Sequence, residues 1–435
     1  MEKIKKLKEA FYKENIDGYI ITKNDEFFGE YIPEYNDRLK YISNFSGSYG
    51  FALILKNKSY LFVDGRYTLQ AYNQASKFFT IITFPNKMPY EILKNKKLVI
   101  GFDPKLFTKN TFNIFFGKNN CKFKPINNNL IDEIWRRKIK TSKNYFYQLP
   151  DSSRSESYQS KINKVVSNLK MRGADFQFIT ASENNAWLFN IRGHDANYTP
   201  IPYSHTLIDK NKNIKFFCDL NKISTSLKKK FNKIDFIKTE LLNKILSEIK
   251  EKKFIIDKST CSFYFENLIL KNNKILSFND PINYLKAIKS KKEIENVKVA
   301  HIYDGAALTK FLFWLKKNFK KKKITEISAS KKLYNFRKSN KKFKFLSFPT
   351  ISGSGPNGAI IHYKPNKKTN RKLKKGDIYL VDSGGQYEFG TTDVTRTISL
   401  DNSNSRIKNI FTRVLKGHIA VADYQLKKNT SGSQI

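Results

Sequence analysis

The stretch Ile378-Tyr379-Leu380-Val381-Asp382-Ser383-Gly384-Gly385-Gln386-Tyr387-Glu388-Phe389-Gly390-Thr391-Thr392-Asp393-Val394-Thr395-Arg396-Thr397 places two aspartates eleven residues apart. Each lies in or beside a run of strand-forming residues, and a glycine-containing turn separates the runs. A β-hairpin built this way aims two carboxylates at one point. Carboxylates so placed repel each other unless a cation or a shared proton sits between them. The pair therefore asks for metal, and the rest of the chain must say whether a whole site accompanies it.

Asp382 follows the apolar run Ile378-Tyr379-Leu380-Val381, so it stands at the end of a core strand, where an unpaired carboxylate is costly. The competing reading is a pair of turn-stabilising or N-capping acids. The buried strand context favours metal ligation by Asp382 and Asp393. Carboxylate oxygens suit Mn, Mg, Co or Zn, and manganese fits an oxygen-rich site. A carboxylate bridging two metals would help generate a hydroxide nucleophile at neutral pH. Upstream, Phe348-Pro349-Thr350-Ile351-Ser352-Gly353-Ser354-Gly355-Pro356-Asn357-Gly358-Ala359-Ile360-Ile361-His362-Tyr363 sets a strand end, a glycine-rich loop and a histidine ahead of the aspartates. His362 can donate to a substrate carbonyl or shuttle a proton. A lone histidine after an apolar pair is more often a packed strand residue, and the pattern leaves both readings open. The loop is weak evidence for phosphate binding, because neither GxxxxGKS/T nor GxGxxG occurs.

At 435 residues, with 40% hydrophobic and 14% aromatic side chains, the chain has material for two or three packed domains. No apolar run approaches the roughly 18 residues that span a bilayer, so no membrane segment is expected. The opening Glu2-Lys3-Ile4-Lys5-Lys6 starts an amphipathic helix and lacks a signal-peptide core. Three widely separated cysteines, Cys121, Cys218 and Cys261, support neither a disulfide framework nor a zinc ribbon. A reducing, cytoplasmic setting fits. The net charge of +43 would suit a nucleic-acid binder. The lysines, however, are spread along the chain amid abundant Asn, Ile and Phe, as on solvated faces. No RNP, zinc-finger or helix-turn-helix pattern occurs, so specific nucleic-acid binding is not expected. Non-specific attraction to anionic surfaces remains compatible with the charge.

The first two-thirds carry a diverged repeat. Asp17-Gly18-Tyr19-Ile20-Ile21-Thr22 matches Ala174-Asp175-Phe176-Gln177-Phe178-Ile179-Thr180. Tyr60-Leu61-Phe62-Val63-Asp64 matches Lys215-Phe216-Phe217-Cys218-Asp219, and Leu98-Val99-Ile100-Gly101-Phe102-Asp103 matches Phe254-Ile255-Ile256-Asp257. Near-equal spacing of these strands, with helical stretches between, predicts duplicated α/β units in preference to two unrelated α/β domains with ordinary alternation. Gln148-Leu149-Pro150-Asp151-Ser152-Ser153-Arg154-Ser155 reads as a linker, and Asp280-Pro281-Ile282-Asn283 as the next boundary. A long helix is predicted from Ser290 to Leu315, a shorter one from Ile324 to Phe336 and a last one from Ile407 to Tyr424.

At these residues the chain resembles the Xaa-Pro aminopeptidases (aminopeptidase P), pita-bread metallopeptidases of the M24 group. Asp382-Ser383-Gly384-Gly385-Gln386-Tyr387 with Thr391-Thr392-Asp393-Val394-Thr395-Arg396-Thr397 is similar to the family's first metal-binding hairpin. Pro356 to Tyr363 is similar to the strand before it. Ser347-Phe348-Pro349-Thr350-Ile351, Val414-Leu415-Lys416-Gly417-His418-Ile419-Ala420, Asp64-Gly65-Arg66-Tyr67 and Ala186-Trp187-Leu188-Phe189-Asn190-Ile191-Arg192-Gly193 extend the likeness over nearly the whole chain. The resemblance implies two related creatinase-like N-terminal α/β domains, at 1–150 and 151–283, and an incomplete pita-bread (α+β) catalytic domain at 284–435. It implies two divalent metal ions, Mn by preference with Zn or Co possible. By the same resemblance Asp382 matches the carboxylate that holds one ion, Asp393 the carboxylate that bridges both, and His362 a histidine that lines the substrate site near the scissile bond. The implied activity is removal of the N-terminal residue from peptides with proline second, and the implied assembly is a homodimer.

One departure stands out. The family completes its metal site with a histidine and two glutamates after the hairpin. Here no glutamate follows Glu388, His418 matches a non-ligand position, and Asp401 and Asp423 match no ligand motif. Three of five ligands are missing, so a C-terminally truncated, inactive chain is expected. Its sheet should show an unpaired edge and exposed apolar surface. The alternatives are a non-catalytic pita-bread protein that binds peptides or partners, and a proline dipeptidase. Retention of both aspartates argues against the first. The duplicated N-terminal units and the Thr391 to Thr397 wording argue against the second.

Overall fold

The short apolar runs that end in aspartate become strands of two six-stranded sheets. The computed structural model describes residues 2–139, 142–276, 278–401, 403–427 and 430–435. In the first sheet, β1 (Gly18–Thr22), β2 (Phe51–Leu55), β3 (Ser59–Asp64), β4 (Thr80–Phe84), β5 (Val99–Phe102) and β6 (Lys122–Pro125) lie in the order β4-β3-β2-β1-β5-β6. β1–β2 and β2–β3 are antiparallel. β3–β4, β1–β5 and β5–β6 are parallel. Every residue of β1 and β2 is buried, as strands covered on both faces must be.

The stretch read as a linker is anchored at its start. β7 (Tyr147–Gln148) pairs with Ile191–Arg192, and Phe146 packs at 2% exposure into the second core. The linker's polar composition concealed this, because the anchor is one aromatic residue just upstream plus backbone hydrogen bonds. Asp280 likewise caps a helix, Pro281–Ala287, whose Ile282 is fully buried in the same core.

The second sheet repeats the first. β8 (Phe176–Ile179) is central, β9 (Ile191–Arg192) stands outside holding β7, and β10 (His205–Asp209), β11 (Ile214–Cys218), β12 (Asp235–Lys238), β13 (Lys253–Ile256) and β14 (Lys274–Leu276) complete the sheet. The order β12-β11-β10-β8-β13-β14 matches the first sheet strand for strand. So do the directions, antiparallel for β8–β10 and β10–β11 and parallel elsewhere. The three cysteines are free.

The chain divides into two compact units. One comprises Met1–Asp304 with Lys341–Phe348 and Gly384–Thr392; the other comprises Gly305–Asn340, Pro349–Ser383 and Asp393–Ile435. The remaining strands are β15 (Phe343–Leu346), β16 (Ile351–Ser354), β17 (Ile378–Ser383), β18 (Gly385–Tyr387) and β19 (Val394–Ser399). In the first unit β15 pairs with β18. In the second, β16, β17 and β19 form an antiparallel sheet in that order. Its core gathers Leu308, Phe311, Leu315, Leu333, Tyr379, Val381 and Leu400. The predicted helices appear as Lys291–Asn318, Glu326–Lys338 and Ser405–Asp423.

β19 pairs only with β17 among the described residues. Helix Ser405–Asp423 buries none of its residues, and Ile410, Phe411, Val414, Leu415 and Ile419 are all exposed. The expected open edge and apolar surface are therefore both present. No helix among the described residues is long and apolar enough to cross a membrane.

The duplication exposes one odd core residue. Phe51 faces Phe62 across β2 and β3, and His205 faces Phe217 across β10 and β11. His205 thus fills the place of an aromatic hydrocarbon, at 3% exposure, beside Phe27, Phe178 and Phe265. Its Nδ1 has no hydrogen-bond partner among the described residues, and burial pushes its pKa down from 6.5 to about 4. The unfolded chain takes up this proton below pH 6.5, whereas the folded chain waits until about pH 4. His205 therefore costs stability progressively as pH falls between those values, up to about 3 kcal/mol. In urea titrations His205→Phe should gain on the wild type by up to about 3 kcal/mol between pH 7 and pH 4. A constant gap would show that His205 does not set this dependence.

Candidate functional site

Alternation along β17 decides where Asp382 points. Tyr379 and Val381 are fully buried in the core, so Leu380 and Asp382 face the other side of the sheet. Asp382 lies opposite Ile351 of β16 and Thr395 of β19. Asp393, two residues before Thr395, falls diagonally across the same face. The two aspartates are thus brought together as the sequence predicts, though not by a simple hairpin. The link between their strands contains β18, which pairs with β15. Gly384 permits this detour, because a Cβ there would collide with the Thr392 carbonyl and the Ser347 hydroxyl.

His362 is placed differently from the expected strand. Gly355–Ala359 forms a 3-10 turn, and His362 sits in the turn that follows, exposed, with φ +59°. Proline and glycines break the strand pattern here. The 3-10 turn lies directly against the site face, because a Cβ on Gly353 would come within 2.9 Å of the Asn357 and Gly358 backbone. His362 therefore arrives on the same side as Asp382 and acts on it electrostatically.

The electrostatics single out Asp382. Burial raises its pKa above the ordinary 3.8, and the Asp393 charge raises it further. The Thr395 hydrogen bond and His362 pull the other way without cancelling the rise. Its Oδ1 is buried and has no hydrogen-bond partner among the described residues. Asp393 by contrast is exposed. Of the later acids, Asp401 pairs with Lys320 and Lys375, each at 3.3 Å, and His418 lies on the exposed helix Ser405–Asp423. Among the described residues no three His, Cys, Asp or Glu side chains converge closely enough to hold a metal ion. The donor chemistry of Asp382 and Asp393 fits a hard divalent cation; the donor count does not close a site around one.

Two residues escaped the sequence reading. Thr395 bonds Asp382, and its signal was the alternation within Thr391 to Thr397. Glu326 opens helix Glu326–Lys338 and is completely buried; in sequence it looks like an ordinary first-turn acid.

Models of the creatinase/prolidase N-terminal domain match residues 3–134 and 137–293, and the metallopeptidase family M24 model matches 295–435. A probable Xaa-Pro aminopeptidase P of Laccaria bicolor is 32% identical, with 99% of this chain and 70% of the relative covered. The chain belongs to the Xaa-Pro aminopeptidase P family. Xaa-Pro aminopeptidase ApepP of Drosophila melanogaster is 34% identical, covering 93% of this chain and 68% of the relative. The crystal structure of an X-prolyl aminopeptidase from Caenorhabditis elegans superposes with a TM-score of 0.93 at 28% identity. That match covers 100% of this chain and 75% of the other, which is described as a cytosolic enzyme with a di-nuclear active site. The family architecture of two creatinase-type N-terminal domains followed by an M24 pita-bread domain accounts for the duplicated sheets and for the sheet bearing Asp382.

A carboxyl group whose folded pKa is raised weakens the fold while it is ionised, and that burden lifts as pH falls through the raised value. Asp382→Asn removes the burden. Its stability at pH 7 in EDTA should equal or exceed the wild type, with any loss under about 0.5 kcal/mol. The advantage should shrink toward acid pH. A larger loss in thermal melts would mean that the Thr395 hydrogen bond outweighs burial and repulsion.

Proposed function

We propose that the Asp382 face is part of the active site of a metal-dependent aminopeptidase that releases the N-terminal residue from peptides with proline second. The observation that carries this reading is the orphan Oδ1 of Asp382, buried near Asp393 and His362. A desolvated carboxylate oxygen without a donor is unfavourable alone and is satisfied by a hard cation. In this reading Asp382 and Asp393 would hold the metal, and His362 would contact the peptide beside the scissile bond. An all-oxygen pair favours Mn, with Zn or Co as substitutes. Bound metal would supply Lewis acidity toward the peptide carbonyl. Proline brings a fixed φ and no N–H, so the chain must recognise shape and carbonyl oxygen, which a histidine donor can address.

Two further parts of the proposal rest on the family likeness and on composition. A cytoplasmic setting is supported by three free cysteines and by the cytosolic C. elegans relative. Homodimerisation and domain boundaries near residues 150 and 283 follow the family pattern. Two carboxylates without further ligands hold an ion weakly, so this chain by itself should be inactive.

Equilibrating the purified chain with Mn2+ should leave clearly less than one ion per chain, and Asp382→Asn or Asp393→Asn should lower even that. No cleavage of Arg-Pro-Pro is expected. Robust turnover would overturn the inactivity, and equal Mn2+ uptake by all three proteins would overturn the ligand assignment.

A further inference from the structure

We propose that Glu326 is a positioning residue whose carboxylate fixes the segment carrying His362 over the Asp382 face; the functional weight of this rests on the reading of His362 given above. Glu326 is fully buried at the first turn of helix Glu326–Lys338, where the helix dipole favours a negative charge. Its Oε1 accepts from the Ser354 backbone N–H at 2.8 Å and from Asn357 Nδ2 at 3.0 Å. Its Oε2 accepts from the Arg371 backbone N–H at 2.9 Å and lies 2.9 Å from the Tyr363 hydroxyl. One carboxylate therefore grips a loop at its start, in its 3-10 turn, beside His362 and at its end.

The loop needs such a grip. His362 is a non-glycine residue in the left-handed region, a conformation that persists only where its surroundings over-determine it. His362 is itself exposed, and its chain neighbours add restraint. Tyr363 supplies it: the side chain is 6% exposed, and its hydroxyl also reaches Thr369 Oγ1 at 3.0 Å. The same helix turn braces the sheet, because Ser352 Oγ donates to the Glu326 carbonyl at 2.9 Å. Glu326 thus couples the strand beside β17 to the turn holding His362. A buried carboxylate that accepts from several donors at once is geometrically demanding.

The test is histidine-selective NMR on the chain as it stands, with the five histidines resolved and His362 assigned by His362→Asn. Glu326→Ala should shift and broaden the His362 signal while leaving those of His205 and His418 in place. Glu326→Gln keeps the size and one acceptor oxygen but turns an amide toward the Arg371 N–H. It should give a smaller change of the same kind, and it carries the test if the alanine variant does not fold. An unmoved His362 signal in the folded variants overturns the proposal, as does an equal disturbance of all five histidines. Titrating Arg-Pro-Pro into wild type and His362→Asn separates the two layers. An equal peptide response in both would remove the substrate role of His362, while a His362 shift in Glu326→Gln would still uphold the positioning.

Discussion

A one-residue slip of β17 against either neighbour would exchange the faces of every side chain it carries. Tyr379 and Val381 would leave the core, and Asp382 would enter it uncompensated. The register Ile351–Asp382–Thr395 is therefore the constraint on which the candidate site depends. Tyr379 enforces it from the core side, where its hydroxyl meets Ser352 Oγ at 2.7 Å. The placement of the orphan carboxylate oxygen is a consequence of packing on the opposite face. Core and site are two sides of one strand, and neither can move without the other.

The N-terminal sheets obey a different logic. Two copies of one strand order keep the same sequence of parallel and antiparallel neighbours. Each core has its own aromatic group, Phe51, Phe62 and Phe115 in one and Phe178, Phe217 and Phe254 in the other, while Phe263 packs on the first and Phe27 stacks on His205 of the second. Identity of residues has drifted while volume and burial persist, so a histidine can occupy an aromatic slot at the cost of charge exclusion. Backbone topology tolerates the exchange because a neutral imidazole packs much as a phenyl ring does.

What was legible in the sequence was periodic or chemically loud. Apolar runs closing in aspartate marked the sheet strands, and two carboxylates across a glycine turn marked the site. What was not legible depended on partners distant in the chain. The 148–155 stretch is polar, yet Phe146 and two backbone pairs anchor it. His362 follows two isoleucines and looks like a strand, yet Pro356 and its neighbouring glycines turn the chain first. Glu326 looks like a helix-opening acid among many, and only the return of residues 354–371 makes it a buried hub. Local pattern reports the element a residue belongs to; it is silent about what later folds over it.

Helix Ser405–Asp423 has a further consequence. It holds an apolar stripe in water on a molecule with a net charge of +43. Mutual repulsion between like-charged molecules keeps such stripes apart at low ionic strength. Salt shortens the reach of that repulsion to about 8 Å at physiological strength and leaves the apolar attraction untouched. In solution the apolar face of this helix therefore competes with a diffuse cationic coat, and ionic strength shifts the balance between them.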